Sequence, residues 1–366
     1  MNNFYYIAEI SLPSRSAYAV HVLKMCDAFA SLGYKVNLIL LHKDPNLSED
    51  SIKKNYNLKN NISIFSFLKK KNEYFFFDRI LFAIKVVFFF KKKGKKNFIL
   101  SRSIISAIIN SFFQKKIILE IHHNLNGFTK VLFKLNNFFF SNIFLYIFIH
   151  RNLLLFFNYS KKNYLILDDG VDISDFKNQN LSVIKNTCVY VGGFTKGKGI
   201  ENIIKIASLL KNINFHLYGD LQNSHINQED ILKYKNISFK GHLLYKKIPS
   251  ILKRYHILLM PYSKKVYVRS SNLETGRFMS PLKLFEYLAA GKIIIASNLQ
   301  VYKHILNKSN SILIDSDDFK NWAKKINYVF SNINNFHLMK KESYNTAKKY
   351  TWLSRAQKII DYYNNN

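Results

Sequence analysis

Residues 280–297, SPLKLFEYLAAGKIIIAS, restrict the fold of this 366-residue chain more than any other stretch. Ser280 is a residue type that caps helix N-termini, and Pro281 suits the first helical position, where its missing N–H costs nothing and its fixed φ is already helical. Leu282, Phe285, Leu288 and Ala289 then recur as one apolar stripe, leaving Lys283, Glu286 and Tyr287 to project toward a neighbouring cleft. Gly291 stops the helix. The next residues, KIIIA over 292–296, read as a strand buried on both faces, which is the signature of a parallel sheet covered by helices on both sides. The helix N-terminus, with its unpaired N–H groups and positive dipole end, suits an anion.

The same alternation runs through the rest of the C-terminal half. Short apolar runs at 187–192, 214–218, 236–240, 257–260, 292–296 and 311–314 are mostly separated by helical segments, predicting a doubly wound sheet. The first of them runs into Gly192-Gly193-Phe194-Thr195-Lys196-Gly197-Lys198-Gly199. Glycines at a strand end let backbone N–H groups approach an anion, and a lysine among them can neutralise it. The N-terminal half opens in the same way. A strand over Phe4–Ile10, a loop, a long helix over Ala17–Leu32 stopped by Gly33, and a strand over Lys35–Leu41 make a β-α-β unit. Further strands are predicted at 62–66, 97–101 and 116–121. Arg15 and Ser16 lie in the loop at the carboxyl end of the first strand, where open α/β sheets place their ligands; they are candidates to contact phosphate or acceptor, or else a turn and a helix cap. Between the halves, an apolar strand breaks at Asp169-Gly170. The expected division is 1–167, a linker over 168–186, 187–348, and a closing helix over 349–366.

Composition bears on partners. Hydrophobic residues at 48% are enough to fill two cores, and two cysteines provide no disulfide framework, which predicts a reducing cytoplasm. The run Phe4–Ile10 is too short for a secretory leader. A net charge of +32 favours anionic partners, although a genome-wide bias toward Lys, Asn, Ile and Phe would produce it as well. No nucleic-acid module or basic, aromatic-studded strand platform is present, so an anionic membrane surface or a phosphorylated lipid fits better. The stretch 73–96, YFFFDRILFAIKVVFFFKKKGKK after Glu73, reads either as an interfacial helix with its lysines on anionic lipid or as a core helix with a solvated basic end. Asp78, Arg79 and Lys85 interrupt it, so it does not read as membrane-spanning. Phe138–Phe157 is expected to be a buried helix and strand, with membrane contact as the second reading.

Several of these segments, in this order, resemble glycosyltransferase family 4, and specifically a subgroup with an SPLKLFEY-type helix. Glu286 matches the second glutamate of that family's E-x7-E pair, while Phe278 stands where the first would be. Lys198 matches the lysine of its G-R-x-x-x-x-K-G segment, and Gly193 replaces the arginine. Glu120-Ile121-His122 is similar to its E-x-H signature, Asp169-Gly170-Val171-Asp172 to its DGVD segment, and Trp352 with Arg355 to its closing W-x-x-R helix. The resemblance implies α/β architecture of the GT-B type, two Rossmann-like doubly wound domains facing each other across a cleft. It implies retaining transfer of a hexose-type sugar from a nucleotide-sugar donor to a saccharide or lipid-linked acceptor, in the synthesis of a cell-surface polysaccharide or lipopolysaccharide. By the same resemblance His122, Lys198 and Glu286 are the catalytic candidates, His122 reaching the donor sugar and Glu286 the ribose. Gly192, Gly193, Lys198, Gly219, His242, Ser280, Leu282, Lys283 and Glu286 would bind the donor. Lys196, Arg277 or Lys283 would supply the charge lost with the arginine.

No cofactor and no metal are expected. Asp168/Asp169/Asp172 and Asp315-Ser316-Asp317-Asp318 imitate a metal-binding D-x-D, but helix capping is the simpler reading of aspartates at such places. The protein is expected on the inner face of the cytoplasmic membrane, held peripherally. Two other functions suit the same fold: a nucleotide-sugar epimerase, for which no carboxylate pair can be placed, and a nucleotide-sugar binder with weakened catalysis.

Overall fold

The computed structural model describes residues 2–71, 73–93, 97–114, 116–140, 142–177, 181–221, 226, 229, 231, 233–267 and 274–366. It divides into two compact units, residues 1–168 with 352–366, and residues 169–351. Each is described by itself.

In chain order, unit 1 holds β1 (Asn3–Leu12), α1 (Ala17–Ser31), β2 (Lys35–Lys43), α2 (Glu49–Tyr56), β3 (Ser63–Ser66), α3 (Phe76–Lys91) and β4 (Phe98–Ser101). It continues with α4 (Ile104–Ser111), β5 (Ile117–Ile121), α5 (Gly127–Leu135), a π turn (Asn136–Phe140), β6 (Leu145–Phe148), α6 (Arg151–Phe156) and β7 (Tyr164–Ile166). The seven strands run in the order β3-β2-β1-β4-β5-β6-β7, and every pairing is parallel. Apolar runs such as Phe98–Ser101 and Ile117–Ile121 are buried along their whole length because helices cover both faces. α1 starts at Ser16, whose hydroxyl accepts the Ala19 N–H at 3.2 Å. Ser16 is therefore a cap.

Unit 2 holds β8 (Thr187–Val191), α7 (Ile200–Leu209), β9 (Asn214–Tyr218), β10 (Ile237–Phe239), α8 (Ile248–Lys253), β11 (Ile257–Met260) and α9 (Leu282–Ala290). Then follow β12 (Ile293–Ser297), β13 (Ile312–Ile314), α10 (Phe319–Ser331) and α11 (His337–Lys348). Its sheet has the order β10-β9-β8-β11-β12-β13, again all parallel. The order reverses between β8 and β11, the switch point beside which open α/β sheets carry ligands. The last helix, α12 (Trp352–Asn365), belongs to unit 1, where it packs on α1. The stretch expected as a linker is partly ordered: Ile173–Phe176 forms a short 3-10 turn and Val171 bridges Thr351 within unit 2.

Three expectations need correction. Pro281, not Ser280, is the N-cap residue of α9, and it provides no side-chain cap; the Ser280 hydroxyl instead accepts the Asp169 N–H at 2.9 Å. α9 is also buried nearly all round, Lys283 and Glu286 included, while Leu282 at its start stays partly exposed. The reason is that α9 lies over the sheet core on one side and is covered on the other by α11, where the Ser343 hydroxyl donates to the Leu288 carbonyl. Finally, within Phe138–Phe157 only β6 is wholly buried, and the rings of Phe138, Phe139 and Phe140 are exposed. Among the described residues, no helix is long and apolar enough to cross a membrane.

Candidate functional site

The glycine loop after β8 and the first turns of α9 bring two lysines together. Gly192 has φ +150, and a Cβ there would meet the Lys283 Nζ at 2.6 Å. A side chain at Gly192 would thus evict the lysine. A Cβ built on the next residue, Gly193, would lie 3.6 Å from the Lys198 Nζ. Two lysine side-chain nitrogens therefore stand over two consecutive glycines. Of the residues expected to supply the charge of the absent arginine, Lys283 is the one that lies beside this glycine pair.

Lys283 is held in an unusual way. Its Nζ is buried and, among the described residues, makes no hydrogen bond; it sits 3.4 Å from the centroid of the Tyr190 ring and 5.1 Å from that of Tyr262. Cation–π contact is worth about 2 kcal/mol or more when desolvated, well short of what a buried ammonium loses in hydration. Burial and then the Lys198 charge push the Lys283 ammonium well below the usual lysine range, against the opposing pull of Glu286. The tyrosines fix this wall: the Tyr190 hydroxyl donates to the Gly193 carbonyl at 2.8 Å, and the Val191 N–H donates to the Tyr287 hydroxyl at 2.9 Å. Gly219 is equally constrained, since a Cβ there would meet the Gly192 carbonyl oxygen at 2.3 Å and the Phe194 ring at 2.4 Å.

Three other candidates are exposed. His242 is exposed beside Gly241, and the Arg277 side chain is 77% exposed, 3.9 Å from Glu274. Arg15 is exposed in the loop before α1. Residues 268–273, between Tyr267 and Glu274, lie outside the described residues.

In unit 1, His122 is drawn into a buried network that the sequence did not announce. Glu120 is buried at the end of β5, and its carboxylate accepts from the Tyr6 hydroxyl at 2.8 Å, His122 Nε2 at 2.9 Å, His21 Nε2 at 3.1 Å and Arg355 Nη2 at 2.5 Å. An ionised carboxylate only accepts, so both imidazoles carry their proton on Nε2 in the neutral form. Burial alone would raise the Glu120 carboxyl, but Arg355, His21 and His122 hold it well below the usual carboxylate range. His122 is kept neutral by burial and by the nearby Arg102 charge. Arg355 also donates from Nε to the Asp168 carbonyl at 2.9 Å, so α12 is tied to the end of the first segment of unit 1. Sequence reasoning marked His122, Glu120 and Arg355 separately and missed His21. Its only signal was a polar residue amid the buried positions of α1.

His21, Glu120 and His122 also bring their ligand atoms within 4.8 Å of one another, a spacing compatible with a metal ion. In the structure both histidines donate to the Glu120 carboxylate, and the Tyr6 hydroxyl and the Arg355 guanidinium donate to it as well. The acidic cluster at 315–318 has local partners. Asp318 caps α10 through the Asn321 N–H at 3.1 Å, Lys264 pairs with Asp317 at 2.9 Å, and the Asp315 carbonyl accepts the Trp322 indole N–H at 2.9 Å.

Residues 185–332 match the model of the family described as glycosyl transferases group 1. A protein of Bacillus subtilis (strain 168), TuaH, named as a glycosyltransferase of teichuronic acid biosynthesis, is 32% identical over 112 residues. That match covers 30% of this chain and about a quarter, 26%, of the relative's length. Among solved structures, a glycosyltransferase from Rickettsia africae ESF-5 superposes with a TM-score of 0.74 at 15% identity, over 100% of this chain and 99% of that one. HepE of Anabaena, solved in complex with UDP, gives a TM-score of 0.74 at 11% identity over 100% of both chains. The chain thus has the GT-B fold, two Rossmann-like units, and is related through residues 185–332 to the group 1 glycosyl transferases.

Proposed function

We propose that the protein is a retaining glycosyltransferase of the family 4 type, taking a hexose-type sugar from a nucleotide-sugar donor to a saccharide or lipid-linked acceptor at the inner face of the cytoplasmic membrane. The observation that carries the reading is the pair of lysines over Gly192 and Gly193 at the switch point of unit 2. A buried lysine nitrogen without a hydrogen bond among the described residues is a costly arrangement, and a diphosphate arriving over the glycine pair would satisfy it. Solved relatives hold the kind of ligand this needs: HepE was crystallised with UDP and with UDP-glucose. In this reading Lys198 and Lys283 meet the charge that grows on the leaving diphosphate, and the donor's own phosphate takes the acceptor proton. Glu286 holds the ribose and His122 the sugar.

The test is a panel of nucleotide sugars scored by thermal stabilisation and then by transfer to saccharide and lipid-linked acceptors. One donor class is expected to raise the midpoint and to be consumed. If none does either, the reading fails. The proposed chemistry uses no metal, so EDTA is expected to leave most of the activity. Complete loss, restored by Mg²⁺ or Mn²⁺, would move the aspartate clusters from caps to ligands.

Lys283 adds a sharper expectation. Because burial and Lys198 disfavour its charged form, an arriving diphosphate should raise its pKa again and draw in a proton. Donor binding should therefore take up protons, and affinity should weaken as pH rises. Titration calorimetry in buffers of different ionisation enthalpy measures the uptake. Lys283→Met should abolish it, and an unchanged uptake in that variant would remove Lys283 from the diphosphate site.

A further inference from the structure

α3 is apolar on two faces. Phe82, Ala83, Val86, Val87 and Phe90 point into unit 1, as a surface helix should. Its opposite stripe, Phe77, Leu81, Ile84 and Phe88, recurs at helical spacing and is exposed, Phe77 by 80%. α5 repeats the pattern with Phe128, Val131 and Leu135 exposed, and the π turn after it presents three consecutive phenylalanines, Phe138 by 81%. These are not scattered side chains. The Phe76 and Phe128 rings lie 4.8 Å apart and join the starts of α3 and α5, while Phe112 after α4 lies 5.1 Å from Phe140. Exposed apolar side chains grouped at helical spacing and joined by ring contacts mark a contact surface.

The charge around it selects the partner. From Phe98 to Leu167 the sequence has Glu120 as its single acidic residue, and that one is buried. Lys91 lies 5.0 Å from the Phe88 ring and Lys130 5.9 Å from the Phe156 ring, and Lys85, Lys92, Lys93 and Lys134 are exposed on the same helices or at their ends. Residues 94–96, which complete the lysine run, lie outside the described residues. A second copy of the chain would bring one basic surface against another. Anionic lipid offers both things the surface needs, headgroup charge for the lysines and an acyl boundary for the rings.

We propose that the aromatic face formed by α3, the end of α4, α5 and the π turn Asn136–Phe140 beds into the interface of an anionic bilayer, the rings entering below the headgroups and the lysines staying among them. This rests on the reading that the protein works at a membrane surface, and adds that attachment is by insertion and not by charge alone. Among the described residues no helix can cross, so the attachment is one-sided.

The test is co-sedimentation with vesicles of phosphatidylcholine containing phosphatidylglycerol, at low salt and at about 1 M NaCl. Wild type is expected to bind at low salt and to keep a substantial bound fraction at high salt. Phe138→Ser/Phe139→Ser/Phe140→Ser, and separately Phe77→Ser/Phe88→Ser, should lose roughly 10-fold or more of vesicle affinity, most visibly at high salt. These side chains are exposed, so circular dichroism and donor-induced thermal shift should match wild type. If wild type binds but salt releases all of it and both variants bind as well as wild type, the membrane reading stands and insertion is wrong. If wild type never sediments with vesicles, both are wrong. A lipid-free dimer that either variant turns into a monomer, with vesicle binding unchanged, would assign the face to a second copy and overturn the proposal.

Discussion

Lys198→Ala is expected to lower kcat by on the order of 10²-fold while donor KM moves much less, the pattern of a stabiliser that matters most in the transition state. Its ammonium stands over Gly193, at the end of β8 where the diphosphate is proposed to sit, and it is only partly buried. Charge on the diphosphate grows as the sugar departs, so the contact strengthens along the reaction. Glu286 provides the contrast. A ribose contact does not change during reaction, so Glu286→Gln should mainly raise donor KM. Glutamine is the right substitution because Glu286 is buried in α9, and truncation to alanine would add a packing loss to the kinetic one. Steady-state kinetics on purified protein separates the two roles. Full kcat in Lys198→Ala would take that residue out of the site.

The order of strands was legible because two-sided burial writes itself into the sequence. Runs such as TCVYV at 187–191 and IIIAS at 293–297 have no polar alternation, and a strand covered by helices on both faces is the simplest way to hide them. The glycine stops of α1 and α9 were equally readable, since positive φ at Gly33 and Gly291 leaves few other residues possible. What failed was the inference from hydrophobicity to burial, in both directions. α9 read as amphipathic, with Lys283, Glu286 and Tyr287 facing a cleft. That reading takes the helix as having one covered side, and the second cover, α11, lies about fifty residues on in the sequence, where no local pattern can announce it. Phe138–Phe140 erred the other way, because an apolar run reads as core unless something outside the chain is allowed as solvent. The two residues at the centre of the proposed donor site, Gly192 and Lys283, were visible as motif members. Their contact is a matter of which Cβ is missing, and only the fold shows that.

The Glu120 network resisted sequence reading for a similar reason: its members come from β1, α1, β5 and α12, with Arg355 lying 235 residues from the carboxylate it meets. Arg355→Met should destabilise unit 1 by about 3–5 kcal/mol, because the carboxylate would remain buried without its strongest partner. The pH dependence identifies the cause. In the wild type the Glu120 carboxyl is held below its usual range, so its stabilising contribution is present above the unfolded carboxylate pKa and is lost as pH falls through the folded value. His122, also held low, acts in the same sense: as pH falls below the ordinary histidine value the unfolded chain takes up a proton that the folded site resists. Without the guanidinium, burial dominates at Glu120 and its folded pKa should move above the unfolded one. Stability from that group would then be present at low pH and lost as pH rises. The gap between variant and wild type should accordingly be widest near neutral pH and shrink toward about pH 5, where the variant's carboxyl can be protonated. Urea unfolding at several pH values measures it. Should Arg355→Met not fold, Glu120→Gln with Arg355→Met restores a neutral pair, and recovery of stability in the double variant reports the same coupling. A loss within experimental error, or one that is the same at every pH, would mean that Arg355 serves as packing and that His122 is positioned by something other than this carboxylate.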